Sequence, residues 1–237
     1  WEAAGEAIAA HSEVLYRVIH NAPNSTVLGG DPGALSQVMQ ELAQRGVFCQ
    51  AIKIDIAAHS PQLNPVRDAL RAGMGTIQPR AATIPYFSSV TGSLENGTGC
   101  DTEYWVRNLV EHVRFAEAIA GAARAGYRLF AELSPHPIVQ RAIADNLQAA
   151  GLAGAVRGSL RRDEDDRGAL LELLAVLHTH GLSIARVASP LDSSVFDQVY
   201  VLPLSARSRQ ALTELADGYA ELLLAPDGPP RSVIAYY

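Results

Sequence analysis

The chain has 237 residues, 48% hydrophobic and 19% charged, enough apolar material for a packed core and outside the range of disordered chains. Nineteen Lys and Arg against 25 Asp and Glu give a net charge of −6, so no chain-wide positive field draws it to nucleic acid or anionic lipid. Cys49 and Cys100 lie far apart and outside any CxxC pair, and no apolar run nears the roughly 20 residues that a bilayer requires. These features exclude a zinc module, a disulfide scaffold and a spanning helix, and they fit a reducing cytoplasm. The chain opens on Trp1 in mid-pattern, as a piece of a longer polypeptide is expected to.

In chain order, residues 2 to 11 read as a short helix, and "EVLYRVIH" (13 to 20) alternates like a half-buried strand. "NAPNS" is turn chemistry, and "TVLGG" (26 to 30) predicts a second strand. Asp31 then caps a helix that has Pro32 in its first position and ends at Gly46. "VFCQAIKIDI" (47 to 56) predicts a third strand, so the opening fifty residues suit a small α+β layer with an antiparallel sheet. Beyond His59 come turn formers and a helix that tolerates Pro65 in its first turn. A strand at 84 to 92 follows, then one helical stretch at 102 to 125 with Trp105, Leu109, Val113 and Phe115 as core. A buried strand at 127 to 135 and a helix at 137 to 151 complete this α/β half. From 156 the texture changes: "RGSLRRDEDDRG" reads as a solvated connection, followed by the helix "ALLELLAVLHTHG" and an irregular polar stretch. "VYVLPLSARSRQALTELADGYAELL" (199 to 223) predicts a strand and an amphipathic helix capped by Ser205 or Ser208.

The tetrapeptide AAHS occurs twice, in "EAIAAHSEVL" (6 to 15) and "IDIAAHSPQL" (54 to 63). His11 follows an Ala-rich helical stretch with nothing polar arranged around it. His59 sits where an alternating strand meets a Ser-Pro turn, the kind of position from which side chains face a cleft. His20 and His136 border turns as well, while His178 and His180 form an HxH pair whose rings leave a helix on different faces and so suit no metal. A histidine base needs a nucleophile, and no G-x-S-x-G elbow occurs in the chain; if His59 is catalytic, its serine is expected upstream of Trp1.

Five blocks, "HNAPNSTVLGGD" (20 to 31), "IDIAAHSPQLNPVRDAL" (54 to 70), "RAATIPYFSSVTG" (80 to 92), "YWVRNLVEHVRFAEAI" (104 to 119) and "FAELSPHPIVQRAI" (130 to 143), resemble in this order the acyltransferase domain of modular type I polyketide synthases. The resemblance implies an α/β fold, in which a ferredoxin-like α+β subdomain is inserted in a hydrolase-like subdomain that carries a GHSxG serine. By that analogy residues 1 to 57 belong to the small subdomain and 58 to 155 to the returning part of the large one. Residues 156 to 198 would be a linker, and 199 to 237 resemble a ketosynthase-to-acyltransferase linker. The family's catalytic histidine closes a motif that reads YASH where methylmalonyl units are selected and HAFH where malonyl units are. Here it reads Ile56-Ala57-Ala58-His59.

The resemblance therefore implies His59 as general base and Ile56, Ala57 and Ala58 as selectivity positions, with Asn21 and His136 as candidate cleft-bordering residues. It implies no metal and no bound cofactor. The substrate would be an acyl-CoA and the acceptor the phosphopantetheine thiol of an acyl carrier protein, with a ketosynthase and a second acyltransferase as neighbouring domains, and with neither nucleic acid nor membrane as partner. Ala58 in place of Phe leaves room for an α-branch, which favours a methylmalonyl-type unit; Ile56 in place of Tyr keeps a starter unit or a bulkier extender open. This piece alone is expected to be inactive. A rival reading makes it a noncatalytic scaffold that docks an acidic carrier protein through Arg67, Arg71, Arg161 and Arg162.

Overall fold

A computed structural model of the chain describes residues 1–54 and 56–182, with 210, 213, 214 and 217 beyond them. Apart from those four, the segment 199 to 223 with its proposed caps Ser205 and Ser208, and the tail around it from 183 onward, lie outside the described residues. The chain divides into two compact units, Trp1–Phe130 with Ile138–Gly154, and Ala131–Pro137 with the chain from Ala155 onward.

The first unit opens with helix α1 (Glu2–Ala7), a 3₁₀ turn (Ala9–His11) and the hairpin β1 (Leu15–Ala22) and β2 (Ser25–Gly30). The two strands pair antiparallel, Leu15 opposite Gly30 and Tyr16 opposite Gly29, and the turn falls on Pro23 and Asn24 as the turn residues predict. Helix α2 (Pro32–Gln44) follows at once. Asp31 accepts the Ala34 N–H at 2.9 Å, and Pro32 occupies the first position. Gly46 at φ 73 ends the helix; its N–H bonds to the Ala43 carbonyl at 3.0 Å and that of Val47 to Leu42 at 2.9 Å, a Schellman closure. Val38 and Ala34 bury against Ile8 and Leu15, with Leu28, Leu35 and Leu42 packed on this cluster. Removing the cap by Asp31→Ala is expected to cost about 1 kcal/mol, read as a lower denaturation midpoint with an unchanged slope.

The third predicted strand is absent. Residues 47–54 take up no regular structure, and Val47, Phe48, Ile52 and Ile54 are exposed. The alternation is real, but among the described residues nothing pairs with it, and a strand without a neighbour is not stable.

The chain then turns through a 3₁₀ segment (Pro61–Val66), which holds Pro65, into α3 (Arg67–Met74). The strand expected at 84 to 92 shrinks to β3 (Tyr86–Ser88), hairpinned to β4 (Ser93–Glu95) with Tyr86 opposite Glu95. The helical stretch expected at 102 to 125 is two helices, α4 (Thr102–Val110) and α5 (Phe115–Arg124). The break has a reason. Glu111 is extended, the Val113 N–H bonds to the Val18 carbonyl at 2.8 Å, and the His20 N–H bonds to the Val113 carbonyl at 2.9 Å, so residues 111–114 serve the free edge of β1 in place of helix bonds. The core changes accordingly. Tyr104, Val106, Val110, Ala116 and Ile119 are buried, whereas Leu109, Val113 and Phe115 are half-buried and Trp105 is 43% exposed with its Nε1 donating to the Cys100 carbonyl. Burial raises the Tyr104 hydroxyl far above its ordinary range, and that hydroxyl bonds with Ser88 Oγ at 2.7 Å and Tyr86 at 2.6 Å, tying β3 to α4. Helix α6 (Gln140–Ala149) closes the unit.

In the second unit, β6 (Ala155–Gly158) pairs with β5 (Leu129–Glu132), whose last two residues belong to it. The Ser159 N–H bonds to the Glu132 carbonyl at 2.8 Å. Half of the charged run read as a connection is structured: Asp165 accepts the Gly168 N–H at 2.7 Å and starts α7 (Asp166–Thr179), and Arg157 pairs with Glu172.

Candidate active site

Residues 56–60 make one tight turn, and backbone polarity explains its shape. Ser60 is buried; its Oγ donates to the Ala57 carbonyl at 2.7 Å and accepts the Gln62 N–H at 3.3 Å. One hydroxyl thus closes the loop behind Ala57 and caps the 3₁₀ segment after it. Ala57 lies against the hairpin, close enough that a Cβ built on Gly29 would stand 3.8 Å from its methyl. Between these two fixed points His59 adopts φ 61, a left-handed conformation that is uncommon outside glycine. Its N–H bonds to the Leu109 carbonyl at 2.9 Å, so the C-terminal turn of α4 holds it there. Such a backbone costs of order 1–3 kcal/mol and persists only where its surroundings enforce it. The ring Nδ1 is buried with no hydrogen-bond partner among the described residues.

The other residues singled out from sequence fall as follows. Ile56 is exposed, and Ala57 and Ala58 are half-buried beside His59. Asn21 lies at the end of β1, its carbonyl accepting from Nδ2 of Asn146 at 2.7 Å. Asn146 is itself buried and donates to Ala142 as well at 2.8 Å, so Asn21 anchors α6 through its main chain. His136 belongs to the second unit, is exposed, and receives the Arg162 N–H on Nδ1 at 3.3 Å. His11 ends its 3₁₀ turn. His178 and His180 turn Nδ1 to the carbonyls of Leu182 and Val176, at 3.3 and 2.8 Å.

Of the four basic residues proposed as a docking patch, three have acidic partners, and Arg162 gives its main-chain N–H to His136. Arg71 reaches Glu103 at 2.8 Å and Asp68 at 2.5 Å, Arg67 reaches Glu103 at 3.3 Å, and Arg161 reaches Glu164 at 3.5 Å. The Arg71 hydrogen bonds draw the Glu103 carboxyl below the ordinary carboxylate range.

One cluster escaped the sequence. His20 Nδ1 stands 3.0 Å from Glu117 Oε1, and the Trp1 ring lies 5.1 Å from the His20 ring and 5.2 Å from that of His112. Arg17 covers the Trp1 ring at 4.5 Å. Burial, with the Arg114 charge second, lowers the His112 pKa, so its neutral form is favoured. His20 and Glu117 are 97 positions apart, and no local pattern links them. An apolar cavity of about 370 Å³ in the same unit is lined by Tyr86, Phe87, Phe115, Ile119, Tyr127 and Phe130 among others, and none of the site residues proposed from sequence lines it. The described residues hold no group of three or more His, Cys, Asp and Glu placed to bind a metal.

Comparison with known proteins extends this picture. The family model described as acyl transferase domain matches residues 2–184. A polyketide synthase of Streptomyces halstedii, GfsA, is 43% identical over 162 residues, which cover 68% of this chain and 2% of that protein. Erythronolide synthase EryA2 of Saccharopolyspora erythraea is 41% identical over 166 residues, 69% of this chain and 5% of that protein. Among solved structures, the acyltransferase domain from module 8 of the salinomycin polyketide synthase superposes with a TM-score of 0.74 at 37% identity, over 77% of this chain and 43% of that one. A loading acyltransferase from the avermectin synthase gives 0.69 at 30% identity, over 75% and 56%. The chain therefore spans a few per cent of those synthases and about half of the solved domains.

Proposed function

The chain belongs to the acyl transferase domain family, and from that premise we propose that it supplies the general base, His59, of a polyketide synthase acyltransferase that moves an acyl unit from acyl-CoA to a carrier protein. The observation that carries this reading is the His59 backbone, held at φ 61 by the Leu109 carbonyl and the Ser60 turn. Strain of this kind is kept where a side chain must be presented in one direction.

With Nδ1 buried, Nε2 is the nitrogen that would meet a serine hydroxyl. In the first half-reaction His59 takes the serine proton as the oxygen attacks the thioester carbonyl; the C–S bond breaks, and the proton passes to the departing CoA sulfur. In the second, His59 takes the proton of the phosphopantetheine thiol, the sulfur attacks the acyl-serine ester carbonyl, the C–O bond to serine breaks, and the proton passes to the departing serine oxygen. On this reading the nucleophile comes from a segment outside the 237 residues, in which no G-x-S-x-G pentapeptide occurs. No cofactor enters either step. The partners are an acyl-CoA, a carrier protein and neighbouring synthase domains, in the cytoplasm. Among the described residues no helix is long and apolar enough to cross a membrane.

Ala58 and Ala57 set the acyl preference on this reading, since small side chains before His59 accept an α-branch. Methylmalonyl-type units are favoured. Ala58→Phe is expected to shift the kcat/KM ratio toward malonyl-CoA by about 10- to 200-fold, the worth of one methylene. The test joins this chain to the serine-bearing segment of a relative, incubates it with malonyl-, methylmalonyl- and monocarboxylic acyl-CoA, and weighs the intact protein. An adduct formed fastest from methylmalonyl-CoA supports the reading; an adduct only from the monocarboxylic thioester makes it a starter-unit selector, and no adduct from any of the three refutes it.

A further inference from the structure

The ring cluster around His20 and the His59 turn are joined by one strut. Residues 109–117 leave α4, cross the free edge of β1 and enter α5. At one end the Leu109 carbonyl holds the His59 N–H at 2.9 Å, and in the middle the main chain of Val113 bonds to Val18 and His20. Side chains lock the strut to β1 on both sides of Val113. His112 stands against the Trp1 ring, which also stands against His20, and Glu117 in the first turn of α5 meets His20 Nδ1 at 3.0 Å. The stem of Glu117 is held in turn by the β3–β4 connection, where a Cβ built on Gly92 would come within 2.9 Å of the Glu117 Cβ. Only one carboxylate oxygen is engaged: Glu117 Oε2 is buried with no hydrogen-bond partner among the described residues. Leaving a buried oxygen unsatisfied is unfavourable, so stability alone does not account for this pair.

We infer that His20 and Glu117 are positioning residues for His59: their hydrogen bond fixes residues 109–113 against β1, and with them the carbonyl that holds the His59 turn. This rests on His59 acting as the general base. A base must stand within hydrogen-bond reach of the proton it takes, and a misplacement of about 1 Å costs on the order of 10²-fold in rate. The His59 N–H is tied to a residue one position from the end of α4, and helix ends fray. A turn hung on such an end is only as precise as whatever anchors that end, and the anchors are the Val113 main chain, the Trp1 contact of His112 and the His20–Glu117 pair. On this assignment the pair acts through the strut, not on the substrate.

The test uses the chain joined to a relative's serine-bearing segment and reads two quantities, hydrogen exchange of the His59 amide relative to the α2 amides, and the kinetics of acyl loading. His20→Leu and Glu117→Met are each expected to speed His59 exchange about tenfold and to lower kcat by about tenfold, with KM for acyl-CoA within about twofold. The double variant is expected to be no worse than either single one, because both remove the same bond. His20→Asn places an N–H donor as many bonds from Cβ as His Nδ1 does, and is expected to restore both readouts to within about twofold of the parent. Unchanged His59 exchange in the single variants overturns the inference, whether or not loading occurs. Additive losses in the double variant, or no rescue by His20→Asn, also overturn it, since the two side chains then act apart. Faster His59 exchange with unchanged loading supports the strut and counts against His59 as the base, so the inference and the reading it rests on fail separately.

Discussion

His59→Ala in the joined protein slows formation of the acyl-serine adduct by about 10²- to 10⁴-fold, the ordinary contribution of a positioned general base. The loss falls on the chemical step. The ring is proposed to act on the serine proton, so kcat drops while KM for acyl-CoA moves little. Backbone strain could confuse this result, because position 59 sits at φ 61 and any replacement must adopt the same conformation. His59→Asn separates the two effects: Asn is among the side chains most tolerant of the left-handed region, so it keeps the turn while removing the base. Both variants are expected to melt within a few degrees of the parent and to lose loading alike, as followed by intact mass over a time course. Near-parental loading by His59→Asn would remove His59 from the mechanism and leave it a turn residue.

How much of this was legible depends on where each signal is stored. The ends of α2 are local: Asp31, Pro32 and Gly46 state them within a few residues, and the structure puts the cap, the first turn and the Schellman closure at those positions. The break between α4 and α5 is not local, because residues 111–114 leave the helix to bond β1 some ninety positions earlier, and helical periodicity runs straight through such an interruption. Trp105 was misplaced for the same reason. A register read across the whole stretch points it inward, while the real α4 buries Tyr104, Val106 and Val110. The alternation at 47–56 is a strand signal that the described residues leave unpaired, which is a statement about neighbours more than about sequence. His59 was separable from His11 by context, the Ser-Pro turn, and then by a motif resemblance; its φ 61 and its tie to Leu109 exist only in three dimensions. The pairing of His20 with Glu117 belongs to the same class.

Gly30→Ala unfolds the site more effectively than any loss of a side chain within it. Gly30 sits at φ 142, where a non-glycine residue is strained, and a Cβ there would stand 2.0 Å from the Val14 carbonyl oxygen and 3.0 Å from Leu15 Cα. The obstacle is backbone, so no rotamer relieves it. That same carbonyl accepts the Asp31 N–H at 3.0 Å, and Asp31 in turn caps α2. Pushing it away therefore strips the hairpin end and the helix start together. Strain and overpacking sum to on the order of 4 kcal/mol, which for a unit of this size lowers the melting midpoint by about 8–16 °C. Gly46→Ala is the control. Gly46 also has positive φ, 73, but nothing stands within 4 Å of the added Cβ, so its cost is the backbone penalty alone, about 1 kcal/mol. Thermal unfolding followed by circular dichroism distinguishes them. Equal melting midpoints for the two variants would mean that the hairpin end yields freely, and the support it gives to Ala57 and His59 through Gly29 would then be far looser than the packing requires.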